Sequence, residues 1–311
     1  MIKVLVIGGA GYIGTVLVPM LLNEGMEVTV LDNFLFEQTV LLDCCLNNKF
    51  HVIRGDCRDE ETVKSAIIGQ DFIIPLAAIV GFPLCDADKI AAYTTNFESI
   101  KTLIKLRQSD QKIIFACTNS GYGIGEANAM CTEDSPLTPI SLYGRTKVDA
   151  EKLILDSGNS LSFRFATVFG ASSRMRLDLL VNDFVYRAVF DKAVVIFQGN
   201  YRRNYVHIRD AAGAIVYGIK NFDNMKGLPY NCGLSSANLT KLQLCAKIKE
   251  HIPQFVYMEA PIGEDPDKRD YIVSNERLEK TGWSAKVSLD EGIEELKKAY
   301  VVTGKNDYSR I

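Results

Sequence analysis

The heptapeptide GGAGYIG spans Gly8–Gly14 and follows the apolar run KVLVI at 3–7. It satisfies G-x-G-x-x-G through Gly9, Gly11 and Gly14, and G-x-x-G-x-x-G through Gly8, Gly11 and Gly14. Glycines at these places permit a tight turn and a close backbone approach, and the N-terminus of the following helix then faces a pyrophosphate. The loop lies between a strand-like run and a helix expected from about Tyr12 to Asn23, which is the context the motif requires. A second apolar run, EVTVLD, ends at Asp32. A carboxylate there accepts hydrogen bonds from a ribose 2′-hydroxyl and repels a 2′-phosphate. With Asn33 rather than Arg beside it, the pattern predicts NAD(H) and not NADP(H).

The chain has 311 residues, 47% of them hydrophobic, and a formal net charge of -3. That is enough for a well-buried core, and mild acidity gives no ground for a nucleic-acid or anionic-membrane partner. No stretch approaches the ~20 apolar residues of a membrane span. The eight cysteines lack C-x-x-C spacing, and several sit in apolar runs such as KIIFACT, which reads as reduced, buried thiols. Three histidines, at 51, 207 and 251, show no ligand-like spacing, so no metal site is expected. These features point to a soluble cytoplasmic protein.

HVIRGD, DFIIPLAA and KIIFACT continue the series of strand-like runs, separated by helix-length polar stretches such as NFESIKTLIKLRQ. Near-continuous apolar strands alternating with helices predict an α/β fold with a Rossmann-like, doubly wound parallel sheet. Pro19 falls inside the first helix, where it costs a hydrogen bond. Beyond about residue 170 the stretches SSRMRLDLL, QGNYRRNY, NCGLSSANLT and APIGEDPDKRD read as loops. The expected division is a nucleotide-binding domain over 1–170 and a smaller substrate domain over 171–311, with some segments returning to the sheet.

The stretch SLYGRTK at 141–147 places Tyr143 and Lys147 on one helical face, one turn apart. Y-x-x-x-K is weak alone, but it follows KIIFACT and TNSGYG. With GGAGYIG, LDN at 31–33, GDCRD at 55–59, PLAA at 75–78 and RRNYVHIRD at 202–210, the chain resembles the extended short-chain dehydrogenase/reductases of the sugar-nucleotide epimerase/dehydratase group. The likeness continues at DKRD, 267–270. It implies that Gly8, Gly11, Tyr12, Ile13 and Gly14 meet the cofactor pyrophosphate and that Asp32 and Asn33 meet the ribose. It implies further that Asp56 and Cys57 flank the adenine, that Leu76, Ala77 and Ala78 line the cofactor channel, and that Asn96 lies near the active-site backbone. The implied catalytic set is Thr118, Tyr143 and Lys147, the last two also contacting cofactor.

Tyrosine with a pKa near ~10 is a poor base at neutral pH. Lys147 and the positive nicotinamide ring are expected to lower it, so that Tyr143 removes a sugar hydroxyl proton while hydride leaves the same carbon. Thr118 then holds that hydroxyl. Arg203 and Arg269 suit a nucleotide diphosphate, because the guanidinium fork binds phosphate oxygens in pairs. Asn182 resembles a residue that orients the diphosphate, whereas Arg174, Arg176 and Arg202 read equally as solvated charges.

Asn119 and Ser120 stand where 4,6-dehydratases of the group carry Asp and Glu; neither can titrate, so dehydration is disfavoured. Oxidation at C4 remains, with the ketone retained or reduced again on the other face as in a 4-epimerase. The strings TNSGYGIGE, RMRLDLLVNDF, MKGLPYNCGLSSANLTK and GEDPDKRDYIVSN resemble enzymes that oxidise GDP-D-glycero-α-D-manno-heptose at C4 in capsular polysaccharide synthesis. That likeness implies a GDP-linked sugar, tightly held NAD(H) and a second carbonyl substrate as oxidant. A homodimer through FESIKTLIKLRQ and the Tyr143 helix is expected, and a non-enzymatic NAD-sensing module is the rival from another class.

Overall fold

The computed structural model describes residues 1–36, 39–126, 129–264 and 268–305, with the Phe82 side chain excepted. Asp267 of the DKRD motif therefore lies outside the described residues. The main sheet has seven strands: β1 (Lys3–Ile7), β2 (Glu27–Asp32), β3 (Phe50–Arg54), β4 (Phe72–Pro75), β5 (Lys112–Thr118), β6 (Ser160–Phe165) and β7 (Pro229–Cys232). Their order is β7-β6-β5-β4-β1-β2-β3, and every neighbouring pair is parallel. This is a Rossmann-like α/β sheet. Its order reverses between β1 and β4, and open parallel sheets bind ligands at such a switch point.

The strands read as continuous apolar runs because both faces are covered. Val4, Leu5 and Val6 of β1 are all fully buried. Val4 and Val6 join one core with Leu17, Val18 and Leu21 of helix α1 (Gly14–Asn23), while Leu5 joins the core on the opposite face with Ile100 and Leu103. Each such side chain contributes about 1.5–3 kcal/mol when buried. Helix α1 passes Pro19 without ending there.

Beyond residue 170, helices α3 (Leu180–Phe190), α4 (Ile208–Lys220) and α5 (Leu289–Thr303) follow α2 (Leu142–Asp156), between the stretches read as loops. That reading is corrected at two of them: NCGLSSANLT begins with the end of β7, and QGNYRRNY contains most of a strand, Arg202–His207. That strand carries buried Arg203, Asn204 and His207 beside Tyr205 and Val206, so it shows no continuous apolar run. A further core, including Phe184, Tyr205, Leu244, Ile293 and Tyr300, lies under these elements. Ala211, Ala212 and Ile215 of α4 share a core with α1, and β7 extends the main sheet. No helix among the described residues is long and apolar enough to cross a membrane.

Candidate active site

At the switch point the chain is packed as closely as backbone allows. Gly8 has φ +85°, and a Cβ there would lie 2.4 Å from the Ala77 nitrogen. A Cβ on Gly14 would lie 2.4 Å from the Gly9 oxygen. The loop is therefore a cradle shaped by missing side chains, with the amide-bearing end of α1 behind it. Ile13 precedes α1 with no side-chain cap, and the hydroxyl of Tyr12 is turned away into the fold, donating to the Gly170 carbonyl at 2.7 Å. Asp32 accepts the Ala10 N–H at 2.9 Å and the Phe34 N–H at 2.8 Å, which fixes its carboxylate at the loop's rim beside Asn33. These residues fit a dinucleotide.

Asp56 and Cys57 follow β3, and Asp56 forms a fork with Arg58, at 2.9 and 2.6 Å. Leu76 and Ala77 donate their N–H groups to the Ile7 carbonyl at 2.7 and 2.8 Å, continuing the β1–β4 junction, with Ala78 next in the chain. A turn of π-helix, Thr94–Glu98, aims Asn96 back at this segment. Its Oδ1 accepts the Ile79 N–H at 2.8 Å, and its Nδ2 donates to the Ile79 carbonyl at 2.9 Å and to Thr146 Oγ1 at 3.3 Å. One side chain thus joins the channel wall to α2.

Ser141 caps α2 by accepting the Gly144 N–H at 3.1 Å, so Tyr143 sits in the first turn and Lys147 in the next. Lys147 is only 3% exposed, with its Nζ 4.0 Å from the centre of the Phe115 ring on β5. Thr118 ends β5; its Oγ1 accepts the Ser120 N–H at 3.1 Å and donates to Ser120 Oγ at 3.0 Å. Arg269 donates to the same Ser120 hydroxyl, and Arg203 donates to the Arg269 carbonyl.

The electrostatics reverse one expectation. Burial pushes the Tyr143 phenol up to about 12, with Cys117 adding to the rise, while Arg176 and Arg269 act in the opposite direction. Burial also pushes the Lys147 ammonium down to about 8, against Cys117 and Glu151. Desolvation outweighs charge at both groups.

Asn182 is also placed differently from the sequence reading. It is fully buried; its Oδ1 accepts the Gly170 N–H at 3.0 Å, and its Nδ2 donates to Tyr12 Oη at 3.0 Å and the Arg176 carbonyl at 2.9 Å. It is a strut behind the loop and presents no edge to a diphosphate. Arg174, Arg176 and Arg202, left open between a ligand role and an ordinary solvated charge, are all engaged. Arg174 is 2% exposed, 4.0 Å from the Phe36 ring centre; Arg176 pairs with Asp178, and Arg202 forks onto Asp270 at 3.0 and 3.2 Å. The repeated arginines of RMR, after a strand, were the available signal for the first two. Asn119 is 1% exposed, and neither atom of its amide has a partner among the described residues.

Sequence reasoning gave no hint of Glu295. Its Oε2 accepts the Ala171 N–H at 2.9 Å and lies 2.7 Å from His207 Nε2. Burial opposes ionisation of this carboxyl, but the bonds from His207 and Ala171 hold it down to about 2. A carboxyl depressed in the folded state stabilises above its unfolded pKa, and the contribution fades as pH falls from about 5 towards 2. The expected loss between pH 6 and pH 3 is about 2 kcal/mol, and Glu295→Gln should flatten that limb; urea midpoints across that range measure it.

A glycine cradle at the switch point of a Rossmann-like sheet, with a carboxylate fixed at its rim, is the architecture of a dinucleotide-binding fold. Residues 4–233 match the NAD dependent epimerase/dehydratase family, and the chain belongs to that family of sugar-nucleotide enzymes, with NAD as cofactor. The UDP-glucose 4-epimerase of Lactobacillus helveticus is 29% identical over 91% of this chain and 92% of its own. The UDP-glucuronic acid 4-epimerase of Bacillus cereus, solved with UDP-glucuronic acid and NAD, superposes with a TM-score of 0.85 at 24% identity, covering 97% of this chain and 100% of that one. The dTDP-glucose 4,6-dehydratase of Bacillus anthracis, solved with NAD, gives 0.83 at 21% identity, covering 97% of each. At these identities the two structures speak for the fold alone.

Proposed function

We propose that the protein oxidises a nucleotide-diphosphate sugar at C4 without loss of water. The observation that carries this reading is the Thr118, Tyr143 and Lys147 set followed by Asn119 and Ser120, which cannot act as acid and base. NAD, when bound, supplies the hydride acceptor. Tyr143 Oη takes the proton of the C4 hydroxyl, and Thr118 Oγ1 orients that hydroxyl. Lys147 holds positive charge one turn from the phenol and would bind the nicotinamide ribose. Arg203 and Arg269 bind the diphosphate, and residues 171–311 supply most of the sugar-nucleotide contacts.

For the substrate we propose GDP-D-glycero-α-D-manno-heptose, converted to its 4-keto form for a capsular or surface polysaccharide in the cytoplasm. The likeness of TNSGYGIGE, RMRLDLLVNDF and GEDPDKRDYIVSN to such enzymes supports it. Tightly held cofactor then needs a second carbonyl compound to reoxidise it, and the working unit is a homodimer. A 4-epimerase is the second reading, favoured by the Lactobacillus helveticus relative.

Incubation of the purified protein with this GDP-heptose and a 2-oxo acid, followed by mass spectrometry, tests both. Loss of two hydrogens is the expected result. An unchanged mass with a new stereoisomer selects the epimerase, and loss of water overturns the argument from Asn119 and Ser120.

A further inference from the structure

Residues Gly170–Ser172 lie against the nucleotide loop and are stitched on both sides. On the loop side, Gly170 accepts from Tyr12 Oη at 2.7 Å, and Ser172 Oγ donates to the Tyr12 carbonyl at 3.0 Å and pairs with Thr15 Oγ1 at 2.7 Å. On the far side the Ala171 N–H is held by Glu295 of α5, reaching across 124 positions of sequence. Glu295 is itself fixed. His207, 1% exposed, accepts the Arg209 N–H on Nδ1 at 3.3 Å, so its proton sits on Nε2 and points at Glu295 Oε2. Gly170 leaves no slack, since a Cβ there would lie 2.5 Å from His207 Nε2. The Arg209 side chain reaches the other Glu295 oxygen at 3.4 Å.

We propose that Glu295, oriented by His207, is a positioning residue that clamps the 170–172 segment against the nucleotide loop and thereby sets how slowly NAD(H) leaves. The segment's continuation carries Arg174, over Phe36, and Arg176, whose backbone carbonyl is held by Asn182. Releasing the Ala171 N–H frees one end of a strap whose other end borders the cradle at Tyr12 and Thr15. The bond is charge-assisted and partly shielded from water, so its loss is felt strongly. The inference rests on NAD binding and is the same whichever sugar is processed.

The test is stopped-flow release of NADH from the purified full-length protein. Glu295→Ala, which leaves the Ala171 N–H without its acceptor, is expected to speed release by about tenfold or more, as for loss of a hydrogen bond to a charged group. Ser172→Ala, which cuts the loop side of the same strap, should speed release as well. The double variant should be no faster than the faster single one, because both act through one element. A residue that only supports the fold would lower the thermal midpoint and leave release unchanged; that outcome overturns the proposal. So does full additivity in the double variant. If Glu295→Ala does not fold, Ser172→Ala decides alone, and parental release in that variant rejects the strap.

Discussion

Tyr143→Phe is expected to lower turnover of the sugar nucleotide by roughly 10²–10⁴-fold, the usual weight of a positioned general base. NADH should still bind within about threefold of the parent, because the cradle at Gly8–Gly14 and the Asp32 rim are untouched. The ring keeps its place in the first turn of α2, where Ser141 fixes the backbone, so only Oη is lost. Mass-spectrometric turnover beside an NADH titration separates the two effects. Turnover near the parental rate would remove Tyr143 from the chemistry. Because burial sets the phenol at about 12, activity of the parent should climb with pH until Lys147, at about 8, loses its charge.

Glu151→Ala should be the most destabilising single change in the helix that carries that chemistry. Glu151 and Arg164 have side chains only 3% and 6% exposed, and the guanidinium meets the carboxylate at 2.9 Å from Nε and 2.7 Å from Nη2. Ser162 donates to the other carboxylate oxygen at 2.5 Å. Removing the carboxylate strands a buried cation and a buried hydroxyl, which costs about 3–5 kcal/mol. Against a total stability of about 5–15 kcal/mol, that is a large shift in a denaturant midpoint. Replacing both partners with methionine should recover part of it. Recovery is incomplete because Arg164 also donates to Tyr122 Oη at 3.2 Å and to the Glu133 carbonyl at 3.0 Å. Glu151 also opposes the burial that depresses Lys147. Its loss should move the alkaline limb of the pH–rate profile to lower pH. A wild-type midpoint in Glu151→Ala would mean that the pair is not the brace it looks to be.

The legible parts of the molecule were those whose physics is local in sequence. GGAGYIG needs only adjacent residues to turn and to bare its amides, and Tyr143 and Lys147 need only one helical turn to share a face. The first five strands of the sheet could be read because the interiors of β1, β2 and β5 are mostly apolar on both faces, whereas β6, with Ser160, Ser162 and Arg164 buried, and the short β7 gave no such run. The strand Arg202–His207 could not, because its buried positions include arginine, asparagine and histidine held by partners far along the chain. His207 and Glu295 are 88 residues apart, and no spacing rule joins them. The sign of the Tyr143 shift was missed for a related reason. Charge neighbours can be guessed from a motif, whereas exclusion of water depends on elements that the motif does not contain.

The position of β7 has a consequence for how the chain is made. β6 is buried along its whole length and lies between β5 and β7, yet β7 begins at Pro229, more than sixty residues after β6 ends at Phe165. At about 5–20 residues per second, a ribosome leaves that edge unpaired for several seconds. A strand edge with its backbone N–H and C=O groups unpaired is a template for pairing with another chain. The nascent protein therefore passes through an interval in which six strands stand ready and the seventh has not yet emerged, and crowded synthesis or slow translation of residues 166–228 lengthens it.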